Sequence, residues 1–155
     1  CRSILLLRHA KNISHVSSKE LGYLHALWQH HITFQKNWII PIDRSPVNSA
    51  RNAILELLQR GIPFDGVYCN SDIAVTGILS VLNEKGISVP GEVKVLGYGD
   101  TELAACYAPP ISSVSIDTGG IVDIALCSML LLLAQETPEK TEYVLPIQIV
   151  ERQTT

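Results

Sequence analysis

Four short apolar stretches end in residues that can hydrogen-bond or carry charge. Residues 4–7 run into Arg8, His9 and Lys11, and residues 38–40 are followed by Asp43 and Arg44. Residues 67–69 lead into Asn70 and Ser71, and residues 93–96 into Gly97, Tyr98, Gly99 and Asp100. Cations and amide donors gathered in this way suit a small polar or anionic ligand. Solvated loop residues that hold nothing are the other reading that position alone leaves open. Bond-making chemistry has less support. No G-x-S-x-G elbow, phosphate-cradling G-x-x-x-x-G-K-[ST] loop or G-x-G-x-x-G turn is present. His25, His30 and His31 fall on one helix or its end, as surface or packing residues. Asp72 and Glu84 read as a helix cap and a surface charge rather than an acid–base pair. Cys1, Cys69, Cys106 and Cys127 are scattered without C-x-x-C or Cys/His ligand spacing, so neither a metal nor a cofactor is expected.

The elements that position these residues follow from periodicity. Ser17-Ser18-Lys19-Glu20 has the form of a capping box. Leu21, Leu24, Leu27, Trp28 and His31 then recur at helical spacing, which puts Lys19 in the first turn of a helix. Ser45-Pro46 opens a second helix with Val47, Ala50, Ile54, Leu57 and Leu58 on its buried stripe, and Gly61 ends it. A third helix is predicted over 71–85, a fifth strand over 111–115, and a helix over 117–135 capped by Asp117. Residues 144–150 read as extended. Strands alternating with helices predict an α/β domain with a mainly parallel, doubly wound sheet. In such sheets ligands bind beyond the carboxyl ends of the strands, which is where the charged and amide residues stand.

With 155 residues, 46% of them hydrophobic, the chain has the size and apolar content of one folded domain. A formal net charge of −3 argues against non-specific nucleic-acid binding by this segment. The apolar run 121–134 contains Asp123 and Ser128 and is too short to span a bilayer, so no membrane partner is expected. Leu126 and Met129 to Leu133 leave that helix little polar face, so either it is central or its cover comes from another domain or subunit. Scattered free thiols suit a reducing, cytoplasmic setting. The opening Cys1-Arg2, with no initiator Met and no signal peptide, reads as the start of a fragment of a longer protein.

From Phe64 onward the chain resembles the lac repressor/galactose repressor (LacI/GalR) family of bacterial transcription regulators. The run "FDGVYCNSDIAVTGILSVLNEKGISVPGEVKVLGYGDTELAACYAPPISSV" is similar to the family's Asn-Asp or Ser-Asp helix opening, then Gly-x-x-x-Pro, Val-x-Gly-Tyr/Phe-x-Asp and Pro-Pro-Leu-Thr-Thr-Val. The closing "VLPIQIVERQTT" resembles Leu-Pro-x-x-Leu-Val-x-Arg-x-Ser/Thr, and Gly22 with Ala26-Leu27 fits the family's Arg-x-x-Gly-x-x-x-Ala-Leu. The likeness is specific over 64–114 and vague over 33–60.

The resemblance implies a non-enzymatic regulator. It would have a DNA-binding helix-turn-helix head and a two-lobed, periplasmic-binding-protein-like (type I) core, and act as a dimer or larger. Residues 1–155 would be the second lobe, with 117–135 crossing to a first lobe; head and first lobe lie outside this chain, and operator DNA is reached only through the head. Asn70 matches an effector-contacting Asn. Lys19 replaces the usual Arg, and Gly99 stands where many members have a sugar-binding Asp, with Asp100 retained. These changes, with Arg44 and His9 nearby, imply an effector that is a sugar and more specifically an anionic one, such as a sugar acid or sugar phosphate. Cys106, Tyr107 and Pro109, with Val47, Ala50 and Arg51, are the implied homodimer contacts. A periplasmic-type sugar-binding protein shares this fold and is the alternative; an enzyme on a doubly wound sheet lacks a motif.

Overall fold

The computed structural model describes residues 1–10, 14–43, 45–138 and 140–155. Six strands form one sheet: β1 (Ile4–His9), β2 (Ile39–Ile42), β3 (Gly66–Cys69), β4 (Lys94–Tyr98), β5 (Ser112–Ile116) and β6 (Ile147–Val150). Their order is β2-β1-β3-β4-β5-β6. The first five are parallel and β6 pairs antiparallel with β5, so the α/β, mainly parallel reading holds. Leu5, Leu6 and Leu7 are buried because β1 lies between β2 and β3 with helices over the sheet, the environment that a continuous apolar run fits.

Among the described residues five α-helices lie between the strands: α1 (Ser14–Gln29), α2 (Pro46–Gln59), α3 (Asp72–Glu84), α4 (Glu102–Cys106) and α5 (Thr118–Leu133). The chain steps from β1 outward to β2, then crosses back past β1 to β3. Right-handed crossovers therefore put α1 on one face and α2 and α3 on the other, where those two helices pack on each other. The reversal of direction makes a switch point between the tips of β1 and β3.

Several local expectations change. α1 begins at Ser14, so Ser17-Ser18-Lys19-Glu20 lies within the helix and is not its cap, and Lys19 falls in the second turn. Ser45 stands at the N-cap of α2 with Pro46 in the first turn, but its side chain makes no capping hydrogen bond. Asp117 does cap α5, its Oδ1 accepting from the Gly120 N–H at 2.9 Å. The five-residue α4 was not anticipated; alanines and a Cys among polar neighbours carry no periodic signal over so short a span.

Ala50, Ile54 and Leu57 of α2 meet Ala74, Val75 and Ile78 of α3 in the core. The two backbones approach closely at Gly77, where a Cβ would run into the Val47 carbonyl oxygen. α5 is the opposite case. None of its residues is buried, and Leu130 and Leu133 are 65% and 76% exposed. The apolar helix is therefore not central, and it leaves an open patch. Among the described residues no helix is long and apolar enough to cross a membrane. After β6 the tail returns to the sheet. Thr154, fully buried, accepts from Val95 N at 2.7 Å through its carbonyl, while its hydroxyl donates to Val95 O at 2.7 Å and accepts from Ser112 N at 2.9 Å.

Gly77→Ala forces α2 and α3 apart at a backbone contact that no rotamer change relieves. A loss of about 1–3 kcal/mol is expected, measured as a lower urea midpoint; an unchanged midpoint would show that the two helices separate freely.

Candidate functional site

Leu7 pairs with Cys69, Tyr68 with Leu96, and Tyr98 with Val114. Extending that register by one or two residues sets Asn70 between Arg8 and Tyr98, at the switch point. The Asn70 N–H donates to the Leu7 carbonyl at 3.1 Å, which fixes the residue as the end of β3. The residue is only 7% exposed, and its Oδ1, wholly buried, has no hydrogen-bond partner among the described residues. Buried amide oxygens are seldom left so, because the lost hydration costs about 1–3 kcal/mol.

Lys19 reaches the same row from α1. Its Nζ sits 3.3 Å from the centroid of the Tyr98 ring, a cation against an aromatic face. Burial lowers its pKa, since desolvation disfavours the ammonium. His9, half-exposed, ends β1, and its carbonyl accepts from Arg8 Nη1 at 3.0 Å. Arg8 Nε also faces Glu20 Oε2 at 2.9 Å as an ion pair. Arg44 and Lys11 lie outside the described residues.

The turn after β4 is held from two sides. Gly99 and Asp100 have φ of 117° and 49°, a left-handed pair that glycine adopts freely and Asp tolerates better than most residues. Behind the turn stands Asp72, only 1% exposed. Its Oδ1 accepts from Ser113 Oγ at 2.6 Å, and its Oδ2 from the Thr101 N–H at 2.8 Å and Thr101 Oγ1 at 3.0 Å. A Cβ at Gly97 would collide with the same carboxylate. Reading Asp72 as a cap is therefore corrected: it is a buried anchor. Asp100 also differs from expectation. Its Oδ1 accepts from Arg152 Nη2 at 2.6 Å, so that oxygen is already engaged within the lobe. Thr101, Ser113 and Arg152 are not singled out in the sequence reading. The only signal was the joint presence of Gly97-x-Gly99 and the closing V-x-R motif.

The expected dimer residues divide. Ala50 is fully buried between α2 and the core, so it faces no partner; its place on the same stripe as Ile54 and Leu57 explains this. Cys106 is exposed, while Val47 and Tyr107 are partly buried, Tyr107 against the core. Arg51 is engaged within the lobe, donating from Nη1 to Glu84 Oε1 at 2.7 Å and to Ser80 Oγ at 3.0 Å. The guanidinium of Arg51 holds the Glu84 carboxyl below its usual range. A cavity of about 550 Å³ opens here, lined by Leu79, Ser80, Glu84, Tyr107 and Pro109 among others. Among the described residues no group of His, Cys, Asp and Glu is placed to hold a metal. Burial pushes the Cys69 thiol up to about 12, as befits an inert core residue.

The mainly parallel sheet with its switch point between the tips of β1 and β3 defines a doubly wound α/β lobe. The whole chain, residues 1–155, matches the family described as periplasmic binding protein-like domain. The chain belongs to this family, in the branch formed by the LacI/GalR regulators. The transcriptional repressor PurR of Vibrio atlanticus is 31% identical over 86% of this chain and 40% of its own length. The transcriptional regulator RegA of Clostridium saccharobutylicum is 26% identical over 99% of this chain and 49% of its own. The chain thus spans less than half the length of these curated relatives. Among solved structures, a complex of the transcriptional regulator CelR with cellobiose superposes with a TM-score of 0.90 at 26% identity, covering 99% of this chain and 47% of that one. These relatives are regulators of transcription, not enzymes.

Lys19→Met keeps the aliphatic stem and removes a cation that burial disfavours. Its unfolding midpoint is expected to stay within about 1 kcal/mol of the parent, because lost cation–π attraction and relieved desolvation oppose each other. A large loss of stability in urea unfolding would make Lys19 a structural residue instead.

Proposed function

We propose that this chain is the effector-sensing and dimerising lobe of a cytoplasmic LacI-family transcription regulator. It binds a small sugar or sugar acid in a cleft between itself and a first lobe, and so controls DNA binding by a helix-turn-helix head. Residues 117–135 cross to that first lobe, which covers the apolar side chains that α5 exposes. The observation that supports the reading is Asn70: a buried amide oxygen with no partner among the described residues, at the switch point, at the end of the strand beside the one whose Tyr98 receives the Lys19 ammonium. A sugar hydroxyl supplies the missing donor.

The charges around the tips favour an anionic effector. Asp72 is engaged by Ser113 and Thr101, Asp100 by Arg152, and Glu20 by Arg8. Gly99 offers no carboxylate. The Lys19 ammonium faces only an aromatic ring among the contacts described for it, which leaves its donors for an incoming oxygen. Cellobiose in the CelR structure supports the sugar class more broadly.

Calorimetric titration of the full-length regulator with gluconate, glucose 6-phosphate and cellobiose tests this. The anions are expected to bind more tightly; tighter binding of cellobiose would refute the anionic assignment. Asn70→Ala is expected to weaken the binding by roughly tenfold to a hundredfold with an unchanged unfolding midpoint, the size of one lost buried hydrogen bond.

Tyr107 and Pro109, beside the open cavity against α3, are proposed to meet a second copy there, with Val47, Arg51 and Cys106 around them. Tyr107→Asp places a charge in that contact and is expected to halve the particle mass in analytical ultracentrifugation; a dimer that persists would count against this interface.

A further inference from the structure

The turn that follows β4 has a left-handed backbone. Gly99 (φ 117°) is at ease there, whereas Asp100 (φ 49°) adopts a left-handed conformation that Asp tolerates better than most residues and that its surroundings help to fix. The Asp100 N–H donates to Ser113 Oγ at 3.0 Å, and the Asp100 side chain is gripped by Arg152. Arg152 is itself fixed at three points. Its N–H donates to Ser112 Oγ at 2.8 Å, its Nη1 to the Ile111 carbonyl at 2.7 Å, and its Nη2 to Asp100 Oδ1 at 2.6 Å. Its backbone belongs to a tail wedged between the starts of β4 and β5, where Gln153 N donates to Pro110 O at 3.0 Å and Thr154 meets Val95.

The turn so held continues directly from Tyr98, whose ring receives the Lys19 ammonium. We infer that Arg152 is a positioning residue for the candidate site. By holding Asp100 in the left-handed region, it sets where Tyr98 stands and hence where Lys19 places its charge. The tail, reached only through α5 and β6, becomes part of the site without touching the ligand. This role rests on the effector-site reading above, but its test needs no effector.

Amide hydrogen exchange and the NMR shift of the Lys19 ε-protons, which the Tyr98 ring displaces upfield, report the two ends of the argument. In Arg152→Ala and Asp100→Asn, exchange at Asp100 and Thr101 is expected to rise about tenfold or more while Val67 and Ile78 keep their protection. The Lys19 shift should move toward that of a free lysine. The double variant should be no worse than Arg152→Ala alone, because Asp100 then has no guanidinium left to lose. Arg152→Lys keeps one charged donor and should restore part of the protection. Asp100→Asn leaves the tail's own bonds intact and remains informative if Arg152→Ala does not fold. An unchanged Lys19 shift, or exchange that rises equally throughout the core, overturns the assignment. Either result leaves the effector reading standing, and failed titrations would sink that reading without touching this one.

Discussion

A buried carboxylate is stable only if its oxygens find donors, and Asp72 has three, from Ser113 and Thr101. They come from the start of β5 and from the turn after β4, while Asp72 itself opens α3. One side chain therefore joins three elements at the carboxyl edge of the sheet. It lies against Gly97, so close that no larger residue fits. The N-terminal dipole of α3 adds to its stability, since Asp72 stands in the first turn. Asn70, two residues upstream, is held in its place at the tip of β3 by this anchorage and by the Leu7 carbonyl. Were Asp72 to lose its donors, the turn carrying Gly99 and the end of β3 would no longer have a common reference.

That arrangement explains how carboxylates can be close to a candidate site without being available to it. Asp72 faces inward, Asp100 is tied to Arg152, and Glu20 to Arg8. Among the described residues, the polar groups at the tips outside these pairs include the Asn70 amide oxygen, the partly desolvated Lys19 ammonium and the exposed Asp43, whose Oδ1 accepts from the Ser45 N–H at 2.9 Å. Sequence proximity alone suggests a rim of mixed sign; pairing withdraws most of its carboxylates. The same pairing logic acts at the other flank, where Arg51 and Glu84 bridge α2 and α3 beside Tyr107. The exposed α5 and the exposed Ile147 and Ile149 of β6 show that the segment between β5 and the tail has little cover within this chain. The tail beyond β6 is instead tied to the sheet through Thr154, whose hydroxyl bonds both Val95 and Ser112.

The sequence by itself determined the α/β class, five of the strands and the long helices. Runs such as Leu5-Leu6-Leu7 and stripes such as Ala50, Ile54 and Leu57 are local signals that burial follows directly. It also placed Lys19, Asn70 and Gly99 at strand ends or on the helix beside them, and the quoted motifs tied them to a family. It misplaced the start of α1, because serines and a glutamate satisfy a helix interior as well as a cap when nothing breaks the helix before them. It put Ala50 on an interface, because an apolar stripe does not say which neighbour covers it. Only the tertiary structure decided that Asp72 is an internal anchor, that Asp100 belongs to Arg152, and that Asn70 has a buried oxygen without a partner among the described residues. The physical reason is that these depend on contacts between residues as far apart as Asp100 and Arg152, and the pairing of a charge is fixed by which distant groups the sheet order brings within reach.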